Sequence, residues 1–379
     1  MTRYAENTEA LRGIITRFLE SILLGILQSL HKTGVQSLLN FMETRLSMKR
    51  VIAYAVRQDE KELFKTVAKG YGFLLTLIPD SLNKETASLA QGHDGVVFLG
   101  TCPVDSDTLK ILSDVGIGFA ASRSAGFDNV DLKAAHERGI LVSNALYSPN
   151  SVAEFAIMSM LSLLRGLPRA LKQVQNNDFS LHGLQGREMR NQTVGIVGTG
   201  RIGQVVAQGL SGFGCTILGY DPYPSTQAKA LLDYVPLDIL LSQSDVVSLH
   251  VPLSEQTKGM MNSAAFSKMK DGALLINSAR GELVNTAHLL QALESGKLGG
   301  AALDVLEGER GIFHTDHSQS TIDHQALMAL KALPHVQITP HAAFFTQQSV
   351  RDMVEASLGN LHAFLTTGTA PNKVSFLEG

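Results

Sequence analysis

The chain has 379 residues, 44% hydrophobic and 18% charged, which is enough for two domains with a core each. A net charge of −3 leaves no electrostatic footprint for nucleic acid or an anionic membrane, so neither is expected as a partner. The two cysteines, Cys102 and Cys215, lie in no CxxC or Cys/His cluster; this argues against a disulfide framework or a metal site and fits a reducing cytoplasm.

Residues 1–47 stand apart. In "LRGIITRFLESILLGILQSL" apolar side chains recur at helical spacing (Leu11, Ile15, Phe18, Leu19, Ile22), and the apolar stretch is far short of a membrane span. Glu6, Glu9 and Glu20 argue against a transit peptide. The segment reads as an amphipathic helical extension. Translation from an upstream start, with the working chain beginning near Met48, fits equally well, and no chemistry is assigned to it.

From residue 48 to 147 short apolar runs ("VIAYAV", "FLLTLIP", "GVVFLG", "IGFAAS", "ILVSNA") alternate with helical patterns such as "EKELFKTVAKGYG" and "VDLKAAHERG". Short continuous apolar strands between helices predict a parallel sheet covered on both faces. A long apolar helix then starts at "YSPNSVAEFAIMSMLSLLRGL", capped either by Ser148 ahead of Pro149 or by a Ser151–Glu154 capping box. A second series follows, with strands "TVGIVG", "CTILGYD", "DVVSLHVPL", "GALLINSAR", "GGAALDVL" and "VQITPH". A last helix over about 346–367, with no strand after it, is expected to pack back on the first unit, making that unit discontinuous.

The second series opens with Gly198-x-Gly200-x-x-Gly203 between a predicted strand and a predicted helix, the context a dinucleotide fingerprint requires. Gly198 permits the tight turn, Gly200 lets the backbone approach a pyrophosphate, and Gly203 lets the helix pack close. Arg201 and Ile202 would offer their backbone N–H groups to the phosphates at the helix N-terminus. Asp221, 23 residues after Gly198 at the end of the next strand, can accept from the adenosine ribose and repel a 2′-phosphate. That predicts NAD rather than NADP; Asp221 as a mere starter of the turn "DPYP" is the alternative.

Three charged groups sit at ends of predicted strands: Arg280 after "LLINS", Asp304, Glu307 and Glu309 in "ALDVLEGE", and His341 after "QITP". Ligands of open parallel sheets bind outside the carboxyl ends of the strands, so these segments can converge. An arginine fork fits a carboxylate, a histidine can protonate a carbonyl oxygen while hydride reaches its carbon, and a glutamate can orient that histidine. Singly, each has a plain structural explanation: a surface ion pair, a structural histidine, a solvated loop. The shared frame joins them into a site for reducing a 2-keto acid.

From about Met48 to Lys373 the sequence resembles the D-isomer-specific 2-hydroxyacid dehydrogenases. The matching segments are "RSAGFDNVDL", "YSPNSVAEF", "VGIVGTGRIGQ", "SDVVSLHVPL", "LLINSARGELV", "GGAALDVLEGE" and "ITPHAAFFT". The resemblance implies an α/β fold of two Rossmann-like or flavodoxin-like parallel-sheet domains. The NAD-binding domain, 148–345, would be inserted in a substrate domain of 48–147 and 346–379. It implies Arg280, Glu309 and His341 as catalytic residues, Glu309 rather than Glu307 because it lies 32 residues before His341. It also implies cofactor contacts at Arg201, Ile202, Asp221, Val251, Pro252, Thr257, Ser278, Ala279 and Asp304, substrate contacts at Ala125, Gly126 and Tyr147, and a homodimer.

The long segment "RGIFHTDHSQSTIDHQALMAL" and the phenylalanines after His341 resemble the D-lactate and D-2-hydroxyisocaproate dehydrogenases, and "GFGCTILGYDPYPS" is most similar to the D-lactate group. Reduction of pyruvate to D-lactate with NADH is therefore the leading expectation, with Phe344 as an apolar wall for the substrate side chain. Larger 2-keto acids are the alternative. So is a non-catalytic NAD-sensing corepressor or scaffold of the same fold. Formate oxidation is disfavoured, since such relatives are expected to carry glutamine where Glu309 stands.

Overall fold

Runs whose side chains are buried on both faces become parallel strands. In the computed structural model, which describes residues 48–375, β1 (Arg50–Ala53), β2 (Leu74–Leu77), β3 (Gly95–Phe98), β4 (Phe119–Ser122) and β5 (Leu141–Ser143) form one sheet in the order β2-β1-β3-β4-β5. β6 (Thr193–Val197), β7 (Thr216–Tyr220), β8 (Asp233–Tyr234), β9 (Val246–Leu249), β10 (Ala273–Asn277), β11 (Leu298–Leu303) and β12 (Val336–Ile338) form a second, wholly parallel sheet in the order β8-β7-β6-β9-β10-β11-β12. The expected α/β class with two parallel-strand sheets is what the chain adopts, and the second sheet has the doubly wound order of a dinucleotide-binding fold. The helical extension expected over 1–47 lies outside the described residues.

In the second sheet the chain runs outward through β6, β7 and β8, then returns to β9 on the other side of β6. That reversal opens a crevice at the carboxyl ends of β6 and β9, where helix N-termini also point. The sheet is held by large apolar layers, among them Val197, Leu249, Leu275 and Leu303 on one face and Ile196, Val206, Leu210 and Ile276 on the other.

The long helix runs Asn150–Leu164, with Pro149 at its N-cap and no side-chain cap. The Ser148 hydroxyl accepts from the Asn150 N–H at 3.4 Å from one residue outside the N-cap, while Ser151 lies inside the helix, so the Ser151–Glu154 capping box does not form. The Ser148 N–H donates to the Asp352 carboxylate, Ser151 Oγ donates to the Ser148 carbonyl, and Ser349 Oγ donates to Ser151 Oγ. These bonds tie the start of the long helix to the last one, Gln347–Thr367.

That last helix packs on the first sheet. Phe364 stacks on Phe119 of β4 at 4.4 Å between ring centroids, and a Cβ on Gly95 of β3 would lie 2.3 Å from Leu361 Cδ1. The chain does not end on the helix, contrary to expectation. Gly368 turns it back with φ 78°, and β13 (Lys373–Val374) pairs antiparallel with the edge strand β5. Two residues are too few for periodicity to reveal, and the same holds for β8.

Candidate active site

The glycine loop between β6 and the helix Arg201–Ser211 shows why each glycine is needed. Gly198 has φ 96°, and a Cβ there would stand 2.7 Å from the His250 carbonyl carbon. A Cβ on Gly203 would stand 2.1 Å from the Gly198 carbonyl oxygen, so the helix rests directly on the loop. Gly200, the helix N-cap, has nothing within 4 Å of its Cβ position, so a ligand can come up against its backbone. Asp221, just past β7, accepts from the Thr199 N–H at 2.8 Å and from the Tyr223 N–H at 2.9 Å. It therefore makes the expected turn and also braces the glycine loop.

Between the two sheets lies a cleft of about 380 Å³. Its walls bring together many residues singled out above: Ala125, Gly126 and Tyr147 from the first sheet's side, and Ile202, Val251, Pro252, Ser278, Ala279, Arg280, Glu309, His341 and Phe344 from the second's. Gly198, Gly200, Arg201, Gly203 and Asp221 surround the glycine loop outside that lining, and the Arg201 guanidinium donates to the Tyr147 carbonyl. Thr257 is also outside it; its hydroxyl donates to the Pro252 carbonyl at 2.7 Å and holds the loop after β9.

His341 follows β12 with φ 54°, a left-handed conformation that is costly for a residue with a Cβ. Asp304, buried at the end of β11, imposes it. The Asp304 carbonyl accepts from the His341 N–H, while its carboxylate accepts from the N–H groups of Ala342 and Ala343 and from the Thr339 hydroxyl. Asp304 is thus a clamp on the histidine loop and does not line the cleft. The clamp sets the His341 Nδ1 2.5 Å from Glu309 Oε1, leaving Nε2 for a ligand. Glu307 instead accepts from the Thr286 hydroxyl.

Arg280 leaves β10 and reaches across the cleft, its Nε 2.8 Å from Asp128 Oδ1. Phe344 sets its ring edge-on to His341 at 6.2 Å and lines the cleft, whereas Phe345 is half exposed, under the Arg57 guanidinium. Burial raises the Tyr147 phenol above its ordinary pKa, so it stays a hydrogen-bond donor. His250 shows some surface to the cleft but is packed on its other sides, and that desolvation pushes its pKa down to about 4. It is a neutral wall hydrogen-bonded to Ser248 Oγ.

Sequence reasoning gave no role to Asp128, His314, Leu99 or Met353, which also line the cleft. Asp128 sits inside the quoted "RSAGFDNVDL", so a signal was present. His314 likewise sits inside the quoted "RGIFHTDHSQSTIDHQALMAL", whereas Leu99 and Met353 carry no signal, since only the fold brings them to the cleft.

Residues 157–343 match the model of the D-isomer specific 2-hydroxyacid dehydrogenase NAD binding domain. The chain is 44% identical over 326 residues to an aromatic 2-oxoacid reductase of Clostridium sporogenes, covering 86% of this chain and 98% of that protein. The chain belongs to the D-isomer-specific 2-hydroxyacid dehydrogenase family. A D-2-hydroxyisocaproate dehydrogenase structure superposes with a TM-score of 0.78 at 38% identity, over 86% of this chain and all of that one (100%). A D-lactate dehydrogenase of Lactobacillus jensenii, solved with NAD+, superposes with a TM-score of 0.74 at 34% identity, over 86% and 100%.

Like these relatives, the present dehydrogenase is an NAD-dependent oxidoreductase, and family members act on small 2-hydroxy or 2-keto acids. Its own residues fit the cofactor. Ser278 Oγ is buried in the cleft wall without a hydrogen-bond partner, and the open approach to Gly200 continues to the N-terminus of Arg201–Ser211. Among the described residues no single helix is long and apolar enough to cross a membrane.

Proposed function

We propose that this dehydrogenase reduces a 2-keto acid to the D-2-hydroxy acid, with pyruvate to D-lactate as the leading reaction. The observation that carries the proposal is one cleft holding both the Glu309–His341 pair and the Arg280 guanidinium. Arg280 binds the substrate carboxylate, assisted by the backbone of Ala125 and Gly126 and by Tyr147. His341 donates the Nε2 proton to the substrate carbonyl oxygen. Glu309 holds the ring by Nδ1 and fixes Nε2 as the donating atom. Asp304 holds the backbone that aims the ring. Phe344 keeps water from the reacting carbon. When bound, NADH supplies the hydride; the glycine loop, Arg201, Ile202, Asp221, Val251, Pro252, Thr257, Ser278 and Ala279 would hold it.

A second reading is favoured by the walls themselves. Leu99, Phe344 and Met353 line the cleft, Phe344 against the His341 ring, and the Clostridium relative is named for aromatic 2-oxoacids. A methyl group gains about 1 kcal/mol from such a wall, a fully buried benzyl group about 2–3 kcal/mol. An NADH-oxidation panel with pyruvate, 2-ketobutyrate, 2-ketoisocaproate, phenylpyruvate, hydroxypyruvate and glyoxylate, with chiral analysis of products, separates the two. A kcat/KM that falls with side-chain size supports D-lactate; a rise through phenylpyruvate assigns the larger acids. An L product would sink both readings, and no turnover of any 2-keto acid would leave the scaffold reading.

Two further assignments accompany the proposal. The helix Leu167–Gln175 and the segment after it expose Leu167, Leu171, Val174, Phe179 and Leu181, an apolar face suited to a second copy of the chain. Cys102 and Cys215 are both free, which suits the reducing cytoplasm.

A further inference from the structure

Asp128 and Arg280 meet across the cleft from opposite sides. Asp128 belongs to the segment between β4 and the helix Leu132–Glu137 of the first sheet; Arg280 follows β10 of the second. They are 152 residues apart in sequence, both line the cleft, and both side chains are about a quarter exposed, at 26% and 28%.

The guanidinium is restrained at each of its nitrogens. Nε donates to Asp128 Oδ1 at 2.8 Å, and Nη1 donates to the Ala279 carbonyl at 2.7 Å. Nη2 lies against Gly126, where a Cβ would stand 1.5 Å from it. A guanidinium can take a carboxylate by its Nε–Nη2 side or by its Nη1–Nη2 end. With Nε taken by Asp128 and one Nη1 N–H by Ala279, a bidentate grip on a carboxylate is left to the second Nη1 N–H together with Nη2, the end-on edge.

We propose that Asp128 is a positioning residue for the substrate carboxylate: it occupies the Nε side of Arg280 so that the Nη1–Nη2 end faces the 2-keto acid. This rests on the reading of Arg280 as the carboxylate binder. Asp128 does not touch substrate or cofactor in this scheme. It removes one of two binding modes and stops the guanidinium from rotating away, so its benefit falls on substrate binding and on aim toward His341. By charge alone Asp128 should do the reverse, since its carboxylate offsets the cation that a substrate anion seeks. The sign of the effect on KM therefore separates positioning from competition.

The test compares Asp128→Ala, Asp128→Asn, Asp128→Glu and Arg280→Ala in the full-length protein. It measures kcat and KM for the best 2-keto acid of the panel, and NADH affinity by fluorescence. For Asp128→Ala the expected result is a KM raised roughly ten- to hundredfold, the range for one charge-assisted hydrogen bond, with NADH affinity kept. Asp128→Asn keeps an acceptor for Nε and should lie between Asp128→Ala and the parent. Asp128→Glu should not restore the parent KM, because the longer side chain cannot hold Nε in the same place. A KM that falls or stays unchanged in Asp128→Ala, with Arg280→Ala inactive, overturns the positioning role and leaves Arg280 as the binder. Parent-like turnover by Arg280→Ala overturns both.

Discussion

Nδ1 of His341 lies 2.5 Å from Oε1 of Glu309, and the other oxygen of that carboxylate accepts from the Leu306 N–H at 2.6 Å. Glu309 is thereby fixed from behind while it faces the imidazole, and both side chains are mostly screened from solvent. A carboxylate so held aims the ring and sets which nitrogen faces the cleft.

Glu309→Gln should therefore lower kcat for keto-acid reduction by about 10²–10⁴-fold, the range for a positioned general acid, with NADH affinity kept. An amide can turn its NH2 group toward Nδ1, so the ring loses the partner that aims Nε2 into the cleft. The check is kcat and KM for the best 2-keto acid beside NADH affinity by fluorescence; a parent-like kcat would show that Glu309 is not the partner of His341.

How much of this was legible in the sequence depends on the range of the forces involved. The glycine loop was readable because the constraints on Gly198, Gly200 and Gly203 arise within a strand–turn–helix unit. The convergence of Arg280, Glu309 and His341 was readable because each follows a strand, and parallel strands share one carboxyl end. What escaped is long-range. Ser151 sits inside the helix and takes a hydrogen bond from Ser349, 198 residues away, in place of the expected capping box. The left-handed backbone of His341 depends on Asp304, which local sequence presents only as a strand-end acid. The pairing of Asp128 with Arg280 exists only once both sheets are in place.

Asp221 has two tasks that substitution can separate. Its carboxylate accepts from the Thr199 N–H, which shapes the glycine loop, and its charge would meet a 2′-phosphate. Asp221→Asn removes the charge and keeps one of the two acceptors, so kcat/KM with NADPH should rise roughly ten- to hundredfold while NADH binding weakens less than in Asp221→Ala. Asp221→Ala also frees Thr199, so it should weaken NADH binding as well. Paired kcat/KM measurements with NADH and NADPH decide this. An unchanged preference in Asp221→Asn would reduce Asp221 to a brace for the loop.

Arg123 and Glu60 form an ion pair beneath the carboxyl end of the first sheet, each fully buried, with Nη1 2.6 Å from Oε1. Arg123 Nη2 also donates to the carbonyls of Tyr54 and Ala55, at the point where Ala55 takes φ 52° as the chain leaves β1. Two residues on, Arg57 donates its N–H to Glu60 and stacks on Phe345, so the pair props the chain next to the cleft wall. Removing Glu60 strands the Arg123 charge in a dry site, and Glu60→Leu should cost about 3–5 kcal/mol in unfolding free energy. Arg123→Met leaves Glu60 with the Arg57 guanidinium, whose Nη2 is 3.1 Å from Oε1, but takes the donor from two backbone carbonyls, so it should also destabilise. The double variant should recover only part of the loss, since those carbonyls stay unpaired, and this distinguishes the network from a simple pair. Denaturant melts of the three variants measure it; a double variant as stable as the parent would mean that the backbone bonds contribute nothing.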